Sequence, residues 1–116
     1  MDDYATVISV WLEAGLQLSS SDSRNGLKQK LMRDPDLFLV AEEENMQGNR
    51  QIVGIVMGGY DGRCAWIYHL AVLPDHQGRG IGRQLLEEVE QRLFARGCER
   101  ISLFVEPTNH SAFKFY

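Results

Sequence analysis

The residues best suited to chemistry lie between His76 and Arg83, in HQGRGIGR, where three glycines and two arginines separate an apolar run from a long amphipathic segment. Backbone N–H groups in the first turn of a helix have no partner inside it, and the helix dipole adds positive potential at that end. Gly78, Gly80 and Gly82 let the backbone approach an anion with no Cβ in the way, and Arg79 and Arg83 put charge at its edges. Strand, glycine-rich turn and helix in this order read as a pyrophosphate cradle; the plainer reading is a tight turn with solvated arginines. Two other phosphate-binding loops fit less well. A Walker A loop needs a lysine and then Ser or Thr after its last glycine, and none follows here. A dinucleotide-binding GxGxxG needs a third glycine where Leu85 stands.

The cradle requires a strand before it and a helix after it. Ala65 to Val72 is rich in aromatic and branched residues and stops at Pro74, as a strand should. Ile81, Leu85, Leu86, Val89 and Leu93 fall on one helical face, and Gly97 stands where a C-terminal glycine belongs. Upstream, Tyr4, Val7, Ile8, Trp11, Leu12 and Leu16 recur at helical spacing behind Asp2 and Asp3. The polar run Ser19 to Ser23 offers caps for a second helix through Leu27, Leu31 and Met32 that must stop near Pro35. Leu37 to Glu42 and Gln51 to Gly58 read as a hairpin about a turn at Asn45 to Asn49. Arg100 to Val105 reads as a buried strand, and Asn109 to Tyr116 as the start of a further helix. The order α-α-β-β-β-α-β-α predicts an α/β fold with a mixed sheet, its last crossover parallel and right-handed.

A chain of 116 residues fits one domain, here 1–116. It is 44% hydrophobic and 24% charged, with net charge −4, which predicts a globular chain and argues against nucleic-acid binding over a basic face. Cys64 and Cys98 are too few for a disulfide framework and read as buried thiols; no metal site is expected. There is neither a basic lead with an apolar core at the N-terminus nor a run of ~18 apolar residues, so a cytoplasmic protein without a membrane partner is expected. His69, His76 and His110 show no pairing pattern and read as strand, loop and cap residues.

Gln77-Gly78-Arg79-Gly80-Ile81-Gly82 resembles the Q/R-x-x-G-x-G/A signature of the GNAT superfamily of acetyl-CoA-dependent N-acetyltransferases, and Leu70-Ala71-Val72 resembles the strand ending before it. Asn109 to Tyr116 resembles the family's N-x6-Y segment. Phe38 to Glu42 and Val56 to Gly62 are similar to the small bacterial branch called YpeA. The resemblance implies that two core strands splay, that pantetheine lies in the gap against the backbone of Leu70, Ala71 and Val72, and that the pyrophosphate rests on Gly78 to Arg83. It implies that Gln77 belongs to the cofactor signature, that Asn109 contacts the cofactor, and that Tyr116 protonates the thiolate after an amine attacks the thioester directly. It also implies acetyl-CoA as co-substrate and an amine-bearing small molecule or protein as partner. A backbone N–H near Leu70 would stabilise the oxyanion.

Taken alone, Asn109 reads as a helix cap and Tyr116 as a packed terminal aromatic. Glu106 is a candidate to deprotonate the amine, though a loop carboxylate is its plainer reading. In the related branch that acetylates a ribosomal protein, a catalytic glutamate lies five residues before the asparagine, and Phe104 stands there in this chain. The general base therefore stays unassigned. The family's usual first strand and last two strands are not found, which leaves a CoA-binding remnant without turnover as the alternative and makes a homodimer closing an open sheet edge a reasonable expectation.

Overall fold

The computed structural model describes residues 3–104. Helices α1 (Tyr4–Glu13) and α2 (Arg24–Arg33) precede strands β1 (Phe38–Glu44), β2 (Arg50–Tyr60) and β3 (Ala65–Val72), then helix α3 (Ile81–Ala95) and strand β4 (Ile101–Leu103). The sheet runs β1-β2-β3-β4; the first three strands are antiparallel and β4 is parallel to β3. The predicted mixed α/β order is therefore observed throughout the described residues.

Two apolar layers sandwich the sheet. Val53, Val56, Ile67, Leu70 and Val72 face Ile81, Leu85, Leu86, Val89 and Leu93 of α3. On the other side Ile52, Ile55, Met57 and Ala71 meet Val7, Val10 and Trp11 of α1 and Leu27 of α2. A glycine at Gly54 allows α3 to sit close, because a Cβ there would come within 2.9 Å of Leu85 Cδ1 and 3.1 Å of Ile81 Cγ2. The connection between α1 and α2 is locked by Asp22, which is buried: its Oδ2 accepts from the Ser19 backbone N–H at 3.0 Å, while its own carbonyl accepts from the Tyr4 hydroxyl at 3.1 Å. Ser23 then caps α2, accepting from Gly26 N–H at 3.1 Å. Below α2, Asp34 is a buried carboxylate held at 2.9 Å by both Lys30 and Arg96, tying α2 to the end of α3.

Several expectations are corrected. Helix α1 ends at Glu13, so Leu16 packs from the following loop rather than from the helix. Strand β4 is only three residues long and half-exposed, not a buried strand from Arg100 to Val105, because no described element covers its outer face; Leu103 and Phe104 are exposed. Cys64 is exposed in the turn after β2, where the Asp61 side chain draws the chain outward by accepting from Arg63 and Cys64 N–H, whereas Cys98 is buried as expected. The segment from Asn109 to Tyr116 lies outside the described residues.

Candidate active site

The strand, turn and helix expected around the glycines are present. β3 ends at Val72, a short 3-10 turn spans Pro74–His76, and Gly78 and Gly80 both take positive φ, +83° and +85°, which branched residues resist. Among the described residues no protein atom lies within 4 Å of a Cβ built at either glycine. Neither glycine is thus demanded by packing, and the space above the turn is open to a ligand. The first described bond of α3 joins Gln84 N–H to the Gly80 carbonyl at 3.0 Å, so the amides of Ile81, Gly82 and Arg83 precede it, and no side chain caps them. Such amides with the dipole behind them are suited to a pyrophosphate.

Side chains around the cradle are arranged by charge. Gln77 does not face outward: its Nε2 donates to the Val72 carbonyl at 3.1 Å, pinning the turn to the end of β3. Arg79 reaches back to Glu43 of β1 at 3.4 Å, and His76 Nε2 meets the same carboxylate at 3.2 Å. His76 Nδ1 is buried without a protein partner among the described residues. Arg83 is exposed on the first turn of α3. One anionic side chain therefore holds one of the cradle's two arginines and its histidine. The histidine pairings are what the sequence reading missed, since the partners stand far apart in the chain.

The second half of the site is β3 itself. Strand β4 pairs with Ala65, Trp66 and Ile67, and the last contact is Phe104 N–H to the Ile67 carbonyl at 3.0 Å. Beyond Ile67 the described ladder to β4 ends, while β3 continues through Leu70, Ala71 and Val72 against β2. At that same point β3 is bulged: Met57 opposes Tyr68 and Ile55 opposes Ala71, so β3 carries one extra residue. His69 takes φ +55°, the sole positive-φ residue other than glycine among those described. Its carbonyl accepts from the Trp11 indole at 3.2 Å and its Nε2 lies 2.9 Å from Asp22 Oδ1. The bulge turns two consecutive side chains, Tyr68 and His69, towards the α1–α2 layer, their rings edge-on with centroids 5.4 Å apart.

On that layer lies a cavity of about 310 Å³ lined by Lys30, Asp34, Tyr60, Trp66 and Tyr68 among others. Burial, with the carboxylates of Asp34 and Asp22 nearby, pushes the Tyr68 phenol up to about 12, so it remains protonated at neutral pH. Asn109 and Tyr116, expected at the cofactor and the thiolate, and Glu106 and His110 lie outside the described residues. Phe104 sits half on the surface beside the end of the β3–β4 ladder. Among the described residues no group of His, Cys, Asp and Glu is placed to hold a metal ion, and no helix is long and apolar enough to cross a membrane.

A model of the acetyltransferase (GNAT) family matches residues 5–116, nearly the whole chain. The chain belongs to the GNAT acetyltransferase family. An acetyltransferase of Pectobacterium atrosepticum is 44% identical over 115 residues, 99% of this chain and 78% of its own length. One from Sodalis glossinidius is 41% identical over the same shares. Among solved structures, Naa20 of Chaetomium thermophilum in complex with a bisubstrate analogue superposes with a TM-score of 0.76 at 28% identity, covering 99% of this chain and 64% of that one. The PaiA N-acetyltransferase of Thermoplasma acidophilum, in complex with coenzyme A, has the same fold: TM-score 0.73 at 24% identity, over 99% of this chain and 80% of that one. This GNAT chain is accordingly an acyltransferase.

Proposed function

We propose that this GNAT chain transfers acetyl from acetyl-CoA to a primary amine of a small molecule or protein by direct attack of the amine on the thioester. The observation that carries this reading is the space over Gly78 and Gly80, open among the described residues, at the uncapped start of α3 directly after β3. The residues present fit acetyl-CoA: amides of Ile81, Gly82 and Arg83 with Arg79 and Arg83 would hold the pyrophosphate, and the backbone of Leu70, Ala71 and Val72 would lie along the pantetheine. Asn109 would contact the cofactor and Tyr116 would protonate the departing thiolate.

The chain's own part in the reaction follows from electrostatics. A backbone N–H of β3 aimed at the carbonyl oxygen would stabilise the charge that develops there, a contribution worth about 3 kcal/mol for one well-aimed donor in acyl transfer. The apolar α3 layer behind Leu70 and Val72 keeps water from one side, which strengthens that dipole. The amine approaches from the opposite layer, where the cavity walled by Trp66 and Tyr68 opens. Calorimetric titration with acetyl-CoA, with NAD as the control, tests the reading, followed by thiol release in the presence of amines. Saturable binding of acetyl-CoA with amine-dependent thiol release is expected; binding without release would leave a CoA-binding module, and preference for NAD would overturn the assignment of the cradle.

A further inference from the structure

Direct transfer needs a group that takes the amine's proton, and the fold brings two residues 47 positions apart together at the β3 bulge. We propose that His69, held by Asp22, is the general base of this acetyltransferase, accepting the proton at Nδ1; the assignment rests on the reading of the glycine cradle as an acetyl-CoA site.

Three observations converge on the pair. First, Asp22 is almost fully buried, and its Oδ1 is directed at His69 Nε2 at 2.9 Å while Oδ2 is taken up by the Ser19 backbone. A carboxylate on Nε2 favours the tautomer with its proton on Nε2, which leaves Nδ1 as the basic nitrogen and stabilises the imidazolium once it forms. Second, the pair is held on more than one side. The Trp11 indole donates to the His69 carbonyl at 3.2 Å and its ring meets the imidazole edge-on at 4.8 Å, so the imidazole's position is set by α1 as well as by its own strand. Third, the place is right. His69 immediately precedes Leu70, where the thioester carbonyl would meet the bulge, and its ring lies edge-on to Tyr68, which walls the cavity on the α1–α2 layer although His69 itself does not line it.

A strand holds a non-glycine residue at positive φ only against a conformational cost of about 1–2 kcal/mol, so the surrounding contacts must outweigh it. Of the groups that face the imidazole, Asp22 comes from the α1–α2 connection, Tyr68 from its own strand and uncharged Trp11 from α1; Arg24 lies over the Tyr4 ring at 4.7 Å and Lys30 stands 6.0 Å from the Tyr68 ring centre. Tyr68 stays protonated at neutral pH and cannot serve as the base in place of His69.

In the step itself the amine nitrogen bonds to the acetyl carbon while the carbonyl π electrons move to oxygen. The proton on the resulting ammonium passes to His69 Nδ1. The oxyanion then re-forms its double bond, the C–S bond breaks with its electron pair on sulfur, and Tyr116 protonates that thiolate. Solvent returns the proton from His69 and restores Tyr116, so amine and acetyl-CoA give amide and free thiol with no net change in protons.

The test needs no knowledge of the natural acceptor. Nitrogen-15 spectra of the whole chain, assigned with His69→Gln, report which imidazole nitrogen carries the proton. Wild type should show the proton on Nε2 and Asp22→Asn should redistribute it; a proton on Nδ1 in wild type would overturn the proposal. Adding acetyl-CoA should move the Nδ1 resonance of His69, and saturation of binding with that resonance unmoved would overturn it too. With n-butylamine as acceptor, His69→Gln should lower kcat about 100-fold or more. The acidic limb of the pH profile should vanish with it, while the KM for acetyl-CoA changes less than about threefold. Free imidazoles added to His69→Ala should restore rate in proportion to their basicity; restoration that ignores basicity would mean the ring only fills space. Failure of acetyl-CoA to bind would instead sink the cradle reading, and the tautomer would still judge the pair.

Discussion

Gly80 separates what the fold requires from what a ligand requires. Its φ of +85° costs a β-branched residue about 1–2 kcal/mol, so Gly80→Val should lower the melting temperature by about 5–15 °C at roughly 4–8 °C per kcal/mol for a domain near this size. Asparagine tolerates the left-handed conformation, and a Cβ there meets no atom of the described residues within 4 Å, so Gly80→Asn should melt within about 3 °C of wild type. A ligand would feel the two substitutions differently from the fold. If a pyrophosphate lies against the amides of Ile81, Gly82 and Arg83, either side chain stands in its path. Losing one charge-assisted bond of about 1.5–3 kcal/mol weakens coenzyme A by roughly 10- to 150-fold. Calorimetry with coenzyme A beside thermal melts of the same samples reads both quantities. Wild-type affinity in Gly80→Asn would refute the reasoning, because the open space would then belong to no ligand.

Glu43 offsets the charge of Arg79 at the cradle, so Glu43→Gln should tighten coenzyme A a few-fold, with a steeper loss of affinity as salt is raised; titrations at two ionic strengths check this. Burial alone would raise the Asp34 carboxyl, but hydrogen bonds and charge from Lys30 and Arg96 outweigh it and hold the group below its ordinary value of 3.8. Its stabilisation is therefore complete above the unfolded-state value and lost as pH falls through the lower folded-state value, so denaturant midpoints of wild type should drop on acidification more than those of Asp34→Asn. At pH 7 that variant should lose about 3–6 kcal/mol, since two charge-assisted bonds of about 1.5–3 kcal/mol each go with it. A thiol reagent should label exposed Cys64 at once and buried Cys98, whose thiol burial pushes up, only in denaturant; mass spectrometry of the labelled chain shows the order.

What the sequence made legible was whatever repeats with a fixed period or stops at a glycine. Helix α3 was readable because Ile81, Leu85, Leu86, Val89 and Leu93 recur every three or four residues and Gly97, at φ +102°, ends the run. The turn before α3 was readable because Gly78 and Gly80 stand where the backbone takes positive φ, which glycine adopts most readily. Strand β4 was overread: Ile101, Leu103 and Phe104 are apolar, but apolarity does not say whether anything covers them. The histidine pairs were invisible for a different reason. Asp22 and His69, or Glu43 and His76, meet only after the sheet has formed, and no local pattern marks partners so far apart.

The bulge in β3 also changes which residues count as equivalent along the strand. Before it, the odd-numbered Ala65 and Ile67 face α3; after it, the even-numbered Leu70 and Val72 do. Removing His69 altogether would bring the two halves back into a single phase: the pairing of Met57 with Tyr68 and of Ile55 with Ala71 would join into one unbroken register, with every apolar residue still on its own side. A regular strand with one residue fewer would therefore keep the apolar pattern while taking from the buried Asp22 carboxylate and the Trp11 indole the partners that His69 gives them. The extra position is superfluous to the alternation of the strand, and what it adds is one side chain that ties β3 to α1 and to the α1–α2 connection.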